Sequence, residues 1–249
     1  MPSPKIVARD AWLEARKALL AEEKALTRAK DTVNRHRLAM PWVRLEKRYV
    51  FEDASGPVSL ADLFEGRSQL LIYHFMFGPG WSEGCSGCSF LCDHVDSARR
   101  HFEHHDVSFA AVSRAPFATL ESFRLRMGWS FRWVSAFASD FNTDFNVSFT
   151  PEQMEHGGAE YNFAKTRPDS DELSGVSAFY RDEAGRIFHT YSQYARGGEE
   201  VIGTYGWLDV APLGRNETGP SHDLSDWVRH HDRYETLIEA AACPACATR

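Results

Sequence analysis

Apolar and polar positions divide the chain into one long amphipathic arm and a region where short apolar runs alternate with helical patterns. Residues 5–38 have the spacing of a single helix, with Pro4 near its start and Pro41 beyond its end. The second heptad stripe contains Glu22 and His36, which make it too polar for a self-sufficient coiled coil. We therefore expect an arm that packs along its own domain or on a partner subunit. Apolar side chains repeat every seven residues along it: Trp12, Leu19, Leu26, Val33 and Met40.

Between residues 41 and 138 the pattern predicts strands that alternate with helices. Residues 41–51 are predicted to be extended, and 59–64 to form a short capped helix. Because the connections that follow are short, their βαβαβ order favours a parallel sheet with right-handed crossovers. The predicted strands and helices of this part lie at 69–77, 87–104, 107–112, 116–127 and 133–138.

The remainder of the chain is less regular. Residues 148–173 are polar, contain Gly and Pro, and are longer than an ordinary connection, which predicts an insertion. A β-hairpin over 176–180 and 187–191 follows, then a helix near 199–208 and a short helix around 223–240. We therefore divide the chain into an N-terminal arm (1–40), an α/β domain (41–210) and a C-terminal extension with a Cys-bearing tail (211–249).

The candidate chemistry follows the apolar strand at 69–77. This strand ends at the Gly-Pro-Gly break of residues 78–80, and a Cys-Ser-Gly-Cys motif at 85–88 opens the next predicted helix. Thioredoxin-like folds place a redox pair at a sheet edge in this strand–turn–CxxC–helix order. The pattern therefore predicts an α/β, thioredoxin-like three-layer fold, with a long N-terminal helix, an insertion before the terminal hairpin and a C-terminal helical extension.

Within this motif, Cys85 is the candidate nucleophile. The amino end of a helix carries partial positive charge and free N–H groups, which favour a thiolate over a thiol, although nearby Glu83 opposes it. Cys88, three residues further on, can close an intramolecular disulfide. Cys92 lies one helical turn beyond Cys88 and is either an alternative resolving thiol or a buried, inert cysteine.

Three other side chains are predicted to lie at the same sheet edge, where ligands bind in open α/β folds. Arg114 follows the second strand, and it either stabilises a thiolate or an anionic substrate or forms a surface salt bridge. Asp140 follows the third strand, and Trp81 belongs to the loop that carries the cysteines. His74 lies within a strand, which favours a hydrogen-bonded core histidine over a catalytic base.

A second Cys-x-x-Cys pair, Cys243 and Cys246, lies in the tail. Together with Cys85 and Cys88 it offers four ligands for tetrahedral zinc. The two pairs are separated by far more than the roughly 15–20 residues of an ordinary zinc ribbon, so no metal site is assigned. The tail pair is a relay dithiol, an accidental exposed pair or a metal site.

Composition excludes several classes of protein. A net charge of −7 argues against nucleic-acid binding. No apolar stretch approaches the roughly 18 residues of a membrane span. The amino terminus lacks the pattern of a signal peptide, which makes the cytoplasm the expected location. No glycine-rich phosphate loop or dinucleotide fingerprint occurs, so no cofactor is expected.

Several longer phrases resemble one family, the thioredoxin-like proteins grouped as DUF899, near the peroxiredoxin branch of the superfamily. The resemblance implies the fold, and no activity is carried over from it. The peroxidatic PxxxTxxC motif of peroxiredoxins is missing, because no Thr stands between Pro79 and Cys85, and no proline precedes the hairpin at Val176. The matching phrases are ARKALLAEEKALTRAKDTVNRHRLAMPWV at 15–43, YHFMFGPGWSEGCSGCSF at 73–90, AVSRAP at 111–116, MGWSFRWVSAFASDFNTDFNVSFTPE at 127–152 and FHTYSQYARG at 188–197.

These observations lead to three hypotheses. The first is a thiol–disulfide oxidoreductase or peroxiredoxin-like enzyme, with a disulfide or peroxide substrate and a cellular reductant. In it, Cys85 attacks the substrate and Cys88 resolves the intermediate. The second is a non-enzymatic thioredoxin-fold binding module that forms a homodimer through the N-terminal helix or through the edge strand. The third is a zinc protein with four cysteine ligands.

Overall fold

A computed structural model describes residues 4–234 of the chain, which divides into two compact units at Trp42 and Val43. The first unit contains helix α1 (Arg9–Leu38), which starts four residues later than its apolar pattern predicted. No side chain of α1 is buried, and the stripe residues Leu19 and Leu26 are 50% and 62% exposed. The tail cysteines Cys243 and Cys246 lie outside the described residues.

The second unit is built on a mixed sheet and short helices. Its described strands are β1 (Val43–Arg44), β2 (Val50–Asp53), β3 (Gly56–Ser59), β4 (Gln69–His74), β5 (Val107–Ser113), β6 (Arg132–Ser135), β7 (Ala159–Tyr161), β8 (Ala164–Thr166), β9 (Gly175–Arg181) and β10 (Ile187–Tyr194). Its described α-helices are α2 (Ser86–Cys92), α3 (Val95–His104), α4 (Phe117–Arg126), α5 (Phe141–Asp144), α6 (Pro151–His156) and α7 (Gly203–Val210).

Eight of these strands form one sheet in the order β1-β10-β9-β4-β5-β6-β2-β3. Strands β4, β5 and β6 run parallel, as their short helical connections predicted, and the β9–β10 hairpin joins β4 in the antiparallel direction. Helices cover both faces of the sheet. The fold is therefore the predicted thioredoxin-like three-layer α/β fold.

The central strand β4 buries both of its faces, which explains its continuous apolar sequence. Tyr73 belongs to the core under α2 and α4, whereas its neighbour Ile72 belongs to the core on the opposite face. His74 is fully buried, and its Nε2 lies 2.8 Å from Oγ of Ser177, which confirms the prediction of a core histidine. Burial lowers the pKa of His74 to about 3.

The helix predicted over 87–104 is interrupted at Asp93 and His94. The Asp93 carboxylate accepts a hydrogen bond from Nε1 of Trp129 at 2.8 Å, and the ring of His94 bonds Phe90 O and Thr204. Both side chains thus hold the junction between α2 and α3 to other parts of the fold. Trp129 and Thr204 are distant in sequence, so the local pattern gives no indication of the break.

Three other predicted helices also differ. The segment at 59–64 is a 3₁₀ turn, Asp62–Phe64, whose start is held by the Asp62 carboxylate and the backbone and hydroxyl of Ser59. The helix near 199–208 begins only at Gly203, after the 3₁₀ segment Ala195–Val201. The described part of 223–240 contains 3₁₀ turns at Leu224–Asp226 and His231–Arg233.

The predicted insertion contains helix α6 and the small hairpin β7–β8. Thr150 and Gln153 form a reciprocal capping box at the start of α6, which explains why a helix begins there. The ends of the insertion meet where Ser148 pairs with Glu172. In the part of the chain that the structure describes, no helix combines the length and apolar composition needed to cross a bilayer.

Candidate active site

Cys85 is the N-cap residue of α2, at the sheet edge that the sequence predicted. Its sulfur lies 3.5 Å from the backbone nitrogen of Cys88, which donates to it. The loop before it is held in place because the backbone N–H of Cys85 donates to Met76 O at 3.0 Å. Both thiols of the motif are free, and the side chain of Cys85 is half-buried.

The environment of Cys85 favours its thiolate. The Cys88 thiol donates a hydrogen bond to the sulfur of Cys85, and this is the largest influence on its pKa. Burial opposes ionisation, whereas the backbone N–H groups of Cys88 and Gly87 favour it. The result is a pKa lowered to about 7, so the Cys85 thiolate is much more populated at neutral pH than that of an ordinary cysteine.

Cys88 has the opposite character. Only 2% of its surface is exposed, and burial raises the pKa of its thiol well above the usual range. The hydroxyl of the buried Tyr73 donates a hydrogen bond to the Cys88 sulfur, as does the backbone N–H of Met76 at 3.4 Å. Cys88 therefore stays protonated and directs its proton toward Cys85.

A cavity of about 530 Å³ opens beside the two cysteines. Its large apolar lining residues are buried or half-buried, and its charged lining residues, which are half-buried or exposed, form its outer part. A volume of this size is typical of small-molecule sites. The apolar wall comprises Tyr73, Met76, Leu91, Val176, Ile202 and Leu224, and the charged residues are Arg196, Glu199, Glu217 and Asp223.

One wall of this cavity is formed by the segment 217–228, which we call the C-terminal strap. A Cβ added to Gly87 would lie 2.9 Å from Cδ1 of Leu224, so the strap packs closely on the start of α2. Further along, the rings of Trp227 and Phe90 meet edge to face at 5.4 Å. The strap thus narrows the access to Cys85.

Residues just after the strap bind the loop that precedes Cys85. The ring of His230 bonds the carbonyl of Gly84 at 2.8 Å, and Arg233 pairs with Glu83. Arg126 bridges the two regions, because it pairs with Glu83 at 2.6 Å and with Asp232 at 2.8 Å. Hydrogen bonds from Arg126 and Arg233 lower the pKa of Glu83 in spite of its partial desolvation. Glu83 thus has a cationic partner on each side, which reduces its effect on the thiolate.

Arg114 directly follows β5, as the sequence predicted, but its side chain binds carboxylates outside the cavity. Its guanidinium pairs with the buried carboxylate of Glu172 and, at 3.5 Å, with Asp171. The other oxygen of Glu172 accepts from Oγ of Ser148 at 2.7 Å. Arg114 is not among the described residues that line the cavity. It ties the end of the insertion to the sheet.

The remaining predicted residues do not line the cavity either. Trp81 packs against the core under α2, and the carboxylate of Asp140 pairs with Lys47 on the surface at 2.9 Å. Cys92 is fully buried in the same core as Cys88. Among the described residues, no three His, Cys, Asp or Glu side chains are grouped so as to hold a metal ion.

The residues missed at the sequence level are those that shape the cavity. The sequence indicates only that Tyr73 lies in a strand. The hydrogen bond between its hydroxyl and Cys88 depends on the packing of α2 against β4. Tyr205 and Leu224 reach the cavity from segments more than a hundred residues away. The one local signal for Tyr73 is its place as an aromatic residue one position before the end of β4, the strand that precedes the CxxC motif.

The sequence matches the model of the family described as "Bacterial protein of unknown function (DUF899)" over residues 1–234. The chain belongs to the DUF899 family. This confirms the resemblance found in its longer sequence phrases. No curated protein matches the chain.

Several solved structures resemble this DUF899 protein in fold. A mutant of PrxQ from Xylella fastidiosa is 16% identical, with 66% of this chain and 89% of that chain covered at a TM-score of 0.40. Peroxidoxin BcpB from Mycobacterium tuberculosis is 12% identical over 66% and 94% of the two chains, with a TM-score of 0.43. Peroxiredoxin Q from Xanthomonas campestris is 12% identical over 65% and 91%, with a TM-score of 0.42. Sequence identities and TM-scores this low describe a similarity of fold and not of chemistry.

Proposed function

We propose that this DUF899 protein is a thiol-dependent oxidoreductase in which Cys85 is the nucleophile and Cys88 the resolving thiol. The observation that carries the proposal is the contrast between the two sulfurs. Cys85 is a half-buried helix cap beside a cavity, with its pKa near 7, whereas Cys88 is buried, protonated and donates to Cys85. Cys85 can therefore attack the substrate as a thiolate, and Cys88 can then attack the intermediate formed on Cys85.

The reaction proceeds in two exchanges. The Cys85 thiolate attacks one sulfur of a substrate disulfide, and the substrate S–S bond breaks as a mixed disulfide forms. The first substrate thiolate leaves and takes up a proton. Cys88 then loses its proton to the second leaving sulfur and attacks Cys85, which releases a second thiol and leaves a Cys85–Cys88 disulfide. Two electrons pass from the protein to the substrate, and a cellular dithiol returns them.

A peroxide is the alternative substrate. In that case Cys85 becomes a sulfenic acid and Cys88 condenses with it to release water. A disulfide fits the cavity better, because cleavage of an O–O bond expels hydroxide and benefits from a free cationic donor. Arg196 belongs to the described lining but already pairs with Glu199 at 2.7 Å. Recovery of both thiols after each cycle requires a reducing compartment, and we place the reaction in the cytoplasm.

The test is turnover of a disulfide and of a hydroperoxide with a dithiol as reductant. We expect Cys85→Ser to abolish turnover, Cys88→Ser to accumulate a mixed disulfide or sulfenic acid, and Cys92→Ala to retain turnover because Cys92 lies in the core away from the cavity lining. Equal turnover by wild type and Cys85→Ser would refute the proposal.

A second candidate function is self-association through α1. Seven large apolar side chains, those of the seven-residue repeat and the two leucines next to it, are between 39% and 62% exposed. A seven-residue apolar repeat is the pattern by which two copies of a helix pack together. This role does not require the cysteines. The residues concerned are Trp12, Leu13, Leu19, Leu20, Leu26, Val33 and Met40.

A further inference from the structure

The charged outer part of the cavity is acidic. Its described lining contains the carboxylates of Glu199, Glu217 and Asp223 against one guanidinium, that of Arg196, and one imidazole, that of His222. Glu199 is neutralised twice, because it pairs with Arg196 at 2.7 Å and with Arg215 at 3.0 Å. Neither of the other two carboxylates forms an ion pair within the described part of the chain.

The hydrogen bonds of these two carboxylates come from neutral groups. Glu217 accepts from the hydroxyl of Tyr205 at 2.8 Å, and Asp223 accepts from the backbone N–H of Ser225 at 2.8 Å. Neither hydrogen bond brings a positive charge to these carboxylates, so acidic side chains outnumber basic ones in the cavity lining. An anionic ligand would be repelled there, whereas a cation would gain a partner.

The C-terminal strap limits the size of the ligand. Leu224 lies on the start of α2, and Trp227 and Val228 fix the strap in the core. The disulfide of a folded protein would have to bring its own backbone to Cys85 past this wall. A small molecule with an apolar body can instead enter the cavity along Leu91, Val176 and Ile202.

From this geometry we infer that the substrate is a small disulfide with an apolar body and a cationic group, the class formed by oxidised aminothiols. The inference rests on the proposed function, since it names the substrate of the same two cysteines. One sulfur of the substrate meets Cys85, while its ammonium group pairs with Glu217 or Asp223, which line the same cavity. The exchanges are those described above, and each releases one molecule of the aminothiol.

The experiment compares three disulfides of similar size under single-turnover conditions. They are cystamine with two ammonium groups, bis(2-hydroxyethyl) disulfide without charge, and dithiodiglycolate with two carboxylates. Fully reduced, full-length protein is mixed with each, quenched with acid, and its remaining thiols are counted by alkylation and mass spectrometry. Each rate constant is divided by that of N-acetylcysteine amide with the same reagent, a reference thiol without a carboxylate, which corrects for the difference in intrinsic reactivity.

We expect the normalised rates to fall from cystamine to the neutral disulfide to dithiodiglycolate, by about threefold or more at each step, the size of one partly exposed charge pair. Glu217→Gln should reduce the ratio of the cystamine rate to the neutral rate by about threefold. Glu183→Gln removes the same charge from the exposed turn between β9 and β10 and should leave that ratio unchanged. The disulfides of insulin should react more slowly than cystamine.

The size of the cavity is tested at Gly198. A Cβ at this position meets only Cδ1 of Leu91, at 3.6 Å, so Gly198→Leu extends into the cavity without a backbone clash. We expect all three small disulfides to react more slowly with this variant. Gly206→Leu, on the exposed face of α7 with nothing within 4 Å, is the matched control and should match wild type.

Two kinds of result would overturn the inference, and they differ from failure of the proposed function. Equal normalised rates for the three disulfides, or faster reaction of dithiodiglycolate or insulin than of cystamine, would refute the substrate class while leaving Cys85 as the nucleophile. No reaction with any disulfide would also refute the substrate class, whereas no turnover of either a disulfide or a hydroperoxide, or equal reaction of Cys85→Ser and wild type, would refute the proposed function itself.

Discussion

At the scale of single residues, the buried carboxylate of Glu172 determines what Arg114 does. Glu172 is 1% exposed, and its burial raises the pKa of the carboxyl even though Ser148 and Arg114 stabilise its charge. Without Arg114 this carboxylate would have no cationic partner as close. The sequence could place Arg114 at the correct strand end, but not its partner, because Glu172 lies at the end of an irregular insertion.

The pair of Arg114 and Glu172 predicts that substitution of Arg114 changes the stability of the protein but not the reactivity of Cys85. Arg114→Leu should lower the free energy of unfolding by about 3 kcal/mol, because a buried charge loses its partner. The folded-state pKa of Glu172 then rises further above its unfolded value, so the loss should be largest at high pH and should shrink as the pH falls and Glu172 becomes protonated. Urea unfolding across pH measures this.

The control is the double variant Arg114→Leu with Glu172→Leu. It removes both charges and should recover most of the lost free energy. Equal stability of the single and double variants would contradict the assignment of Arg114 to this pair. The alkylation rate of Cys85 should be the same in all three proteins.

At the scale of elements, the amino end of α2 positions the reactive sulfur, and its neighbours position α2. The order strand–turn–CxxC–helix was sufficient to predict this junction, because the apolar run of β4, the Gly-Pro-Gly break and the N-cap are all local signals. The break between α2 and α3 was not predictable, since Trp129 and Thr204 hold it from other elements.

Helix α1 gives a prediction that is independent of the cysteines. If two copies associate through its apolar stripe, Leu19→Glu or Leu26→Glu should place a charge in the contact and reduce the mass in solution from dimer to monomer. Light scattering at several protein concentrations measures the mass. Lys24→Ala changes the net charge by the same amount on the other side of the helix and should not alter it. An unchanged mass in both Leu variants would exclude this contact.

At the scale of the whole molecule, the sheet order brings distant segments to one cavity. The βαβαβ core and the β9–β10 hairpin followed from hydrophobic patterns, whereas the strap did not, because residues 217–228 lack a regular period. Leu224 and Trp227 pack on α2 only because the chain returns to it after α7. The cavity, and with it the candidate substrate, therefore depends on tertiary structure.

The strap predicts selective access to Cys85. Leu224→Ala should raise the rate at which a bulky maleimide labels Cys85 several-fold relative to iodoacetamide, because the truncated side chain widens the entrance beside Gly87. Leu125→Ala, on the exposed side of α4, should leave the ratio of the two rates at its wild-type value. A ratio that is the same in both variants and wild type would show that the strap does not restrict the entrance.

The pH dependence of Cys85 alkylation in the native protein tests directly whether Cys85 is the nucleophile. Iodoacetamide reacts with thiolates, so site-resolved mass spectrometry should show a Cys85 rate that rises tenfold per pH unit below a midpoint near 7 and levels off above it. Cys88 and Cys92, both buried with raised pKa values, should remain unmodified over the same range. A Cys85 midpoint near 9, or a Cys85 that reacts only after unfolding, would contradict its assignment as the nucleophile.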